Sequence, residues 1–438
     1  ANMGAELGAT TTVFPSDEVT RKFLKQEGRE KDWQEIIADE GAQYDHYEHI
    51  RLDELVPLIA KPSSPGNVVP VSEVTGKPIS QVVIGSSANP GLRDFWIVSE
   101  IVKGQIIPAD VSLDINPSSR QKIEDLGKLG ALNELIKAGA RYHQTGCMGC
   151  IGMGQAPASN TVSLRTMPRN FPGRSGTADD QVYLCSPETA AVSALHGKIT
   201  DPLTYGKKTS YPKYKEPEQA SVNSMMLIAP KEDGRDLELK KGPNIKSLPD
   251  FTPIEDAFEA PIILKMGNNI STDEILKAGA EVLPLRSNIE AISQYAYEAL
   301  HPSFHQAALK ALDSLGGHLV VAGENYAQGS SREHAAIAPR YLGQKAVIAK
   351  SYARIGFQNL VNFGIIPFIF ENPENLNDLE TNNILVFKDV ILAVEQGKTI
   401  TAYNKATQKG IGLVCPLSQR QRKILLAGGL INYLKNSK

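Results

Sequence analysis

The sequence predicts an α/β fold, because apolar segments of strand length alternate with amphipathic segments of helix length in two stretches of the chain. The first stretch begins near residue 70 and the second near residue 260. Alternation at this spacing is typical of parallel βαβ units. The chain has 438 residues, of which 41% are hydrophobic, so it can bury a sizeable core. At roughly 150 residues per domain, this length corresponds to about three domains.

The first half of the chain holds a weakly patterned opening and a better defined α/β domain. Residues 1–60 combine a Gly- and Thr-rich start with a polar helical pattern at 21–38, and we expect them to be the remnant of a preceding α/β domain. We expect residues 61–210 to form a domain of their own. Its predicted elements are strands at 81–85 (QVVIG) and 110–117 (DVSLDINP) and helices at 92–104 and 118–138.

The second half begins with a linker. Residues 211–258 contain six prolines and many charges, which is typical of a connecting segment with little core. We expect residues 259–438 to form a C-terminal β/α domain. Its predicted elements are strands at 261–266 (PIILKM), 318–323 (HLVVAG), 346–351 (AVIAKS), 364–370 (GIIPFIF) and 384–394, and a closing helix at 418–434.

The charge balance and cysteine content exclude several classes of protein. The chain has 46 Lys and Arg against 49 Asp and Glu. This near-neutral charge does not indicate binding to nucleic acid or anionic lipid. No apolar run approaches the roughly 20 residues of a membrane-spanning helix, and the start has no signal-peptide pattern. Four cysteines cannot form a disulfide scaffold, so we predict a reducing, cytoplasmic location.

Two cysteines three positions apart form the first candidate site, in the sequence GCMGCIGMG. Cys147 and Cys150 could hold one metal centre or form a redox pair. A structural zinc site usually needs four ligands, and the other cysteines, Cys185 and Cys415, are single and distant in sequence. An iron–sulfur cluster held by few cysteines fits better. The alternative is a pair of buried cysteines without a function.

Three arginines could bind carboxylates. In RNFPGRSG, Gly and Pro favour a tight loop that presents Arg169 and Arg174 together, and the guanidinium group suits bidentate carboxylate binding. The alternative is two surface arginines in weak ion pairs. Arg286 stands among apolar residues in LPLRSNI, where it is either a partner in a buried ion pair or an anchor for a ligand.

The segment GSSREHAA contains the candidate base. Ser330 and Glu333 have the spacing of a helix capping box, and we expect that structure. A hydroxyl at a helix N-terminus beside Arg332 also lies in a positive potential, so Ser330 could act as a proton-abstracting base or a nucleophile. We expect His334, one turn further on, to pack or cap locally.

Taken in order, these segments resemble the aconitase family. The resemblance rests on NMGAExGATTxVFP, GSxxNPGLRDF, GCxxCIG, RNFxGRxG, TDEI, GENYxxGSSREHAA and KSYARI. It implies a three-layer βαβ aconitase-type core domain, to which residues 61–210 would belong, and a C-terminal swivelling β/α domain, with the active site in a cleft between two lobes. It also implies a hydro-lyase of the tricarboxylic acid cycle that interconverts citrate and isocitrate through cis-aconitate, with a [4Fe–4S] cluster whose fourth iron binds the substrate.

The resemblance assigns roles residue by residue. Cys147 and Cys150 match cluster ligands, and Ser330 matches the serine that abstracts the proton as an alkoxide. Arg332 matches the residue that stabilises this alkoxide. The other matches are substrate-binding positions at Arg169, Arg174, Arg286 and Ser331, and surrounding positions at Asn2, Glu6 and Asp273.

The sequence departs from the family pattern at two positions. Ser87 occupies the place of the family's first cluster cysteine, so we expect a serine oxygen or Cys185 to complete the ligand set, or else an unstable or absent cluster. Pro168 replaces an Asn that often precedes the RNF segment, which would change a contact near the cluster. The family's N-terminal domain, which supplies further acid–base groups, is not in the 438 residues, and we expect the isolated chain to be inactive.

Two alternatives stay open. Homoaconitate hydratase and isopropylmalate isomerase use the same architecture on other hydroxy acids. A cluster-free RNA-binding regulator is suggested by Ser87, although the near-neutral charge argues against it. In the favoured interpretation the partner is a small tricarboxylate, with no membrane and no nucleic acid.

Overall fold

The computed structural model describes residues 4, 9, 11–86, 89–146, 149–206, 211–234, 236–279 and 281–437. The chain divides into two compact units, which consist mainly of Thr12–Asp236 and Leu237–Lys438. Each unit contains a β-sheet with parallel strands and helices packed against it, and the predicted α/β class is therefore confirmed.

The first unit is built on a seven-stranded sheet in the order β2-β1-β7-β6-β3-β4-β5. Strands β3 to β7 are parallel to one another, while β1 and β2 add an antiparallel edge. The strands are β1 Leu58–Ala60, β2 Val68–Pro70, β3 Gln81–Ile84, β4 Ser112–Ile115, β5 Arg141–Tyr142, β6 Val162–Arg165 and β7 Gln181–Cys185.

The two faces of this sheet differ in chemistry. One face carries the large apolar cluster of the unit, in which residues of helices α2, α4 and α5 pack against the strands. The other face has a small apolar cluster that includes Val83, Leu184 and Cys150, next to polar residues. The helices of the first unit are α1 Glu18–Gln26, α2 Leu92–Val102, α3 Arg120–Lys128, α4 Ala131–Lys137, α5 Pro187–His196 and α6 Pro202–Gly206.

The second unit contains a closed barrel in the order β10-β11-β14-β13-β12-β8-β9. Strands β8 to β11 run parallel, and the remaining pairs are antiparallel. All seven strands contribute apolar residues to the core inside the barrel. The strands are β8 Phe258–Lys265, β9 His318–Ala322, β10 Gln344–Ala349, β11 Ile366–Phe370, β12 Ile384–Phe387, β13 Ile400–Asn404 and β14 Lys409–Val414.

Helices cover part of the outer surface of the barrel, where a second apolar cluster forms. This cluster includes residues of α8, α9 and α10 and the outward-facing positions of β9 and β10. The helices of the second unit are α7 Thr272–Ile275, α8 Ile289–Ser293, α9 Phe304–Leu315, α10 His334–Tyr341, α11 Arg354–Asn362, α12 Val390–Gln396, α13 Gln419–Leu426 and α14 Leu430–Asn436.

Several predicted elements are interrupted in the structure. The helix predicted at 118–138 is two helices, α3 and α4, with Gly130 between them in the left-handed region at φ +72°. The strand predicted at 384–394 is wrong in its second half, which forms α12. The closing helix predicted at 418–434 is also two helices, because Gly428 and Gly429 adopt positive φ.

The described part of 211–257 contains neither helix nor strand, and the division between the units falls inside this segment. Strand β1, which begins at Leu58, pairs with β7 of the main sheet. The domain limits at 1–60, 61–210, 211–258 and 259–438 stay a prediction. Among the described residues, no helix has the length and apolar character needed to cross a membrane.

Candidate functional site

The cysteine segment lies beyond the carboxyl end of strand β5, and the parallel strands β3, β4 and β6 end at the same edge of the sheet. Loops at this edge of parallel sheets commonly form binding sites. Cys147 lies outside the described residues, and so do Ser87, Asn2 and Glu6. The site in the first unit is therefore defined by Cys150 and its surroundings.

Cys150 is a buried thiol in a positively charged environment. It lies in a short 3₁₀ turn, Gly149–Ile151, and is 1% exposed. Nη2 of Arg174 donates a hydrogen bond to its Sγ over 3.6 Å. A guanidinium donor beside a thiol favours the thiolate, which is the form that binds metal. The structure thus brings together one predicted cluster ligand and one predicted substrate-binding arginine, while Arg169 is partly buried in the same loop as Arg174.

Two glycines allow this segment to pack tightly. A Cβ atom at Gly149 would lie 2.0 Å from Oε1 of Gln155, and one at Gly152 would lie 2.0 Å from the carbonyl oxygen of Ser175. Gly152 also has a φ of +76°, which favours glycine. The loop that contains Arg174 and Ser175 therefore rests directly on the backbone of the cysteine segment.

Arg165 is a residue of this site that the sequence analysis missed. It ends strand β6 and is fully buried directly beneath the cysteine segment. Its Nη1 donates to the carbonyl oxygen of Gly149 over 2.7 Å, and its Nη2 donates to Oε1 of Gln81 over 2.9 Å and to the carbonyl oxygen of Gln155. Burial lowers its pKa to about 10, so the guanidinium is still charged at neutral pH. A single arginine in a strand gives no sequence signal that could have found it.

Cys185 does not complete the ligand set with Cys150. It ends strand β7 and packs on the helix-covered face of the sheet, whereas its neighbour Leu184 packs with Cys150 on the other face. Side chains alternate between the two faces of a strand, so the expected substitution of Cys185 for the missing cysteine is wrong. Burial raises the pKa of the Cys185 thiol to about 12, which keeps it protonated.

The surroundings of Cys150 fit an iron–sulfur centre. Asn116 and Gln155 flank Gly149, and Oδ1 of Asn116 and the amide of Gln155 are buried without a partner among the described residues. Unsatisfied buried polar atoms of this kind are rare and indicate a bound group or water. Within the described ranges, no three His, Cys, Asp or Glu side chains converge to hold a metal. Any further ligands, with Cys147 predicted first among them, would come from outside those ranges.

The second unit holds Ser330 in the loop that precedes α10. Its backbone N–H donates to Oγ1 of Thr272 over 3.1 Å. The predicted capping box is wrong, because α10 begins at His334 and the residue before it, Glu333, makes no side-chain cap hydrogen bond. Ser330 lies outside the helix, and its hydroxyl has no capping role.

Arg332 is fixed by two contacts with the segment that contains α7. Its Nη2 donates to Oδ1 of Asp273 over 2.7 Å, and its Nη1 donates to the carbonyl oxygen of Leu276. The Arg332 side chain is 10% exposed. Oδ1 of Asp273 also accepts the N–H of Ala278 over 3.3 Å. Two predicted site residues from distant segments, Arg332 and Asp273, are therefore in direct contact.

His334 connects the same loop to the segment that contains Arg286. Its Nε2 donates to the carbonyl oxygen of Arg286 over 2.9 Å. The alternative of a buried ion pair for Arg286 is wrong, since this residue is exposed. Ser331 is exposed as well, and its carbonyl oxygen accepts a hydrogen bond from Nδ2 of Asn359 over 3.4 Å. Hydrogen bonds thus join three segments: the loop of Ser330 and Arg332, the segment of Asp273, and the segment of Arg286.

Two family models match this chain. The model of the aconitase family (aconitate hydratase) matches residues 1–78 and 72–197, and the model of the aconitase C-terminal domain matches residues 279–373. Together they cover more than half of the chain, one in each unit. The chain therefore belongs to the aconitase family.

The relatives of this chain include enzymes named for two different substrates. The chain is 39% identical over 206 residues to 3-isopropylmalate dehydratase large subunit 2 of Archaeoglobus fulgidus, which covers 47% of this chain and 50% of that protein. It is 30% identical to the mitochondrial aconitate hydratase of Candida albicans over 90% of this chain and 59% of that protein. The chain thus spans about half to three fifths of these relatives. The solved 3-isopropylmalate dehydratase (leuD) of Methanocaldococcus jannaschii is 31% identical, with a TM-score of 0.34, over 41% of this chain and 95% of that chain.

Proposed function

We propose that this chain carries part of the active site of a hydro-lyase that interconverts citrate and isocitrate through cis-aconitate. The observation that carries the proposal is that hydrogen bonds join the loop of Ser330 and Arg332 to the segments of Asp273 and Arg286 in the second unit. Membership of the aconitase family supports the same reaction class. A serine base beside a fixed cation and an exposed arginine is a set of groups suited to removing a proton from the carbon next to a carboxylate.

In this proposal Ser330 removes the proton from the carbon next to a carboxylate and returns one in the hydration direction. A serine hydroxyl is a weak base unless its alkoxide is stabilised. Arg332 lies two residues away, and its contacts with Asp273 and Leu276 hold its positive charge in place without a large rearrangement. Thr272 fixes the backbone of Ser330 in the same way.

The arginines would bind the carboxylates of the substrate. Arg286 and Ser331 are exposed in the second unit. In the first unit Arg174 contacts Cys150, and Arg169 is partly buried in the same loop as Arg174. Several arginine forks suit a tricarboxylate, because each can bind one carboxylate with two hydrogen bonds.

We propose that Cys147 and Cys150 bind a [4Fe–4S] cluster, with Ser87 in the place of the third ligand. When bound, such a cluster supplies a Lewis acid for the departing hydroxyl group. Iron and sulfide analysis with EPR on the reconstituted chain tests the assignment. We expect a low cluster content in the wild type and a clear increase in the Ser87→Cys variant, with no increase in Ser86→Cys, which adds a thiol one residue away. Equal cluster content in all three proteins would contradict a ligand position at residue 87.

The named relatives make 3-isopropylmalate the second candidate substrate. The isopropylmalate dehydratase large subunit is more similar in sequence, but it covers 47% of this chain, whereas the aconitate hydratase covers 90%. The longer match includes both units, so we favour citrate and isocitrate.

The substrate is tested with the purified 438-residue chain after anaerobic reconstitution with iron and sulfide. Citrate, isocitrate, homoisocitrate and isopropylmalate are compared by calorimetric binding and by turnover. We expect binding of citrate and isocitrate, abolished in Arg286→Gln, with little or no turnover. Preferential binding of isopropylmalate would overturn the substrate assignment. Clear hydration of cis-aconitate would show that the isolated chain is active after all.

A further inference from the structure

The buried guanidinium of Arg165 has no carboxylate partner within hydrogen-bonding distance in the described part of the chain. Within the described residues, the acceptors of its hydrogen bonds are all neutral: Oγ of Ser163, Oε1 of Gln81 and the carbonyl oxygens of Gly149 and Gln155. A buried charge without a counter-charge costs several kcal/mol, so an arginine in this position needs a nearby anion.

The cysteine segment is the best placed source of that charge. Cys150 directly follows Gly149, whose carbonyl oxygen accepts a hydrogen bond from Nη1 of Arg165 over 2.7 Å. Burial raises the pKa of Asp180, which favours its neutral form. Asp114 is already engaged by the Arg141 guanidinium over 3.0 Å and by His143 over 2.8 Å. Arg165 therefore lies next to the proposed ligand Cys150, where its positive charge would offset that of a metal-bound thiolate.

Arg165 also fastens the cysteine segment mechanically. Its two terminal nitrogens bind the carbonyl oxygens of Gly149 and Gln155, which lie at the two ends of a loop that contains Cys150. The same side chain is anchored to strands β3 and β6 through Gln81 and Ser163. One guanidinium thus ties both ends of the loop to the sheet, which no lysine could reproduce, because an ammonium group lacks the planar fork.

We propose that Arg165 is the positioning residue of the cysteine loop, fixing residues 149–155 on the sheet and supplying the buried positive charge that a thiolate-bound metal centre at Cys150 requires. The charge part of this inference rests on the proposed metal-binding function. The mechanical part does not, since it concerns the loop in the chain without metal. The two parts can therefore be tested separately.

The mechanical part is tested by amide hydrogen exchange on the metal-free 438-residue chain. In Arg165→Met, we expect amides of residues 149–156 to exchange at least tenfold faster than in the wild type. Arg165→Lys should show the same loss, because one ammonium cannot hold both carbonyl oxygens. The control is Arg340→Met, which removes a largely buried arginine from the second unit and should leave exchange in 149–156 unchanged. Unchanged exchange in folded Arg165→Met or Arg165→Lys would overturn the positioning role.

The charge part is tested by Cd²⁺ binding, because Cd²⁺ prefers thiolate ligands. Under anaerobic, reducing conditions we expect Arg165→Met to bind Cd²⁺ at least tenfold more weakly than the wild type, and Arg165→Lys to recover part of that loss. Equal affinity in the wild type and Arg165→Met would overturn the role of the charge. A wild-type chain that binds neither Cd²⁺ nor iron would instead contradict the proposed metal function, while the exchange experiment would still decide the positioning role.

Discussion

At the scale of single residues, His318 makes the second unit sensitive to acid. It begins strand β9, is fully buried and packs against the ring of Phe304. Burial lowers its pKa to about 3, against about 6.5 in an unfolded chain. Below pH 6.5 the unfolded state therefore binds a proton that the folded state does not, and stability falls as the pH falls. We expect a loss of about 2 kcal/mol between pH 8 and pH 5 from this residue.

Urea unfolding of the wild type and of His318→Leu between pH 5 and pH 8 measures this effect. The variant should lose the His318 part of the pH dependence, whatever its absolute stability. His49→Leu, which changes an exposed histidine, should keep the wild-type slope. An unchanged slope in His318→Leu would show that the histidine is protonated in the folded protein.

Two serines that share a sequence pattern differ in their structural role. Ser418 forms a complete capping box with Gln421 at the start of α13, whereas Ser330 makes no cap. We expect Ser418→Ala to cost about 1 kcal/mol of folding free energy and Ser330→Ala to change it by less than about 0.5 kcal/mol. Denaturant unfolding of both variants measures the difference. In any preparation with the proposed hydro-lyase activity, Ser330→Ala should still lose orders of magnitude in turnover, and a near-wild-type rate would refute its proposed role as the base.

At the scale of elements, the packing of two loops in the first unit depends on one glycine. Gly152 and Gly154 both have positive φ, but only at Gly152 would a Cβ collide with a neighbouring backbone, that of Ser175. Gly154→Ala should therefore cost only the left-handed strain of about 1 kcal/mol. Gly152→Ala should cost more and also weaken Cd²⁺ binding at Cys150, because the arginine loop must move away. Equal stability and equal Cd²⁺ affinity in the two variants would contradict this packing.

The sequence predicted the buried parallel strands well, but it did not predict the breaks within two of the predicted helices. Continuous apolar runs predicted β3, β9, β10 and β11 to within about two residues, because strands buried on both faces have a simple pattern. The breaks at Gly130 and Gly428 were missed, since an isolated glycine within a helical pattern is often tolerated. Gly428 is required because a Cβ there would lie 2.4 Å from the carbonyl oxygen of Thr252.

For the candidate site, the resemblance of the motifs to the aconitase family predicted the site residues, and the structure brings some of them into contact. Arg332 contacts Asp273, and Arg174 contacts Cys150, although neither contact follows from sequence spacing. The buried charge of Arg165 could not be predicted, because its acceptors come from distant strands and loops. The face on which Cys185 packs likewise depends on strand pairing, which a single sequence does not define.

At the scale of the whole molecule, each unit has its own core, and the described residues between 222 and 248 belong to neither. Ser221 is anchored to the first unit, because its hydroxyl and its N–H both donate to Oδ1 of Asp125. Thr252 is anchored to the second unit, because its carbonyl oxygen accepts a hydrogen bond from Arg340. Between these anchors Met225 and Ile228 are more than 90% exposed, and no helix or strand is present in the described residues. An exposed segment without regular structure is the preferred target of a protease.

We therefore predict that brief trypsin digestion cuts this chain first between residues 222 and 248, at sites such as Lys231, Lys240 and Lys241, which are exposed. Mass spectrometry identifies the cuts, and circular dichroism with thermal unfolding of the two purified fragments shows whether each keeps a cooperative transition. We expect both fragments to do so, because each retains a complete sheet and apolar core. Early cuts inside a strand of either sheet, or loss of cooperative unfolding in a fragment, would show that the units depend on each other for stability.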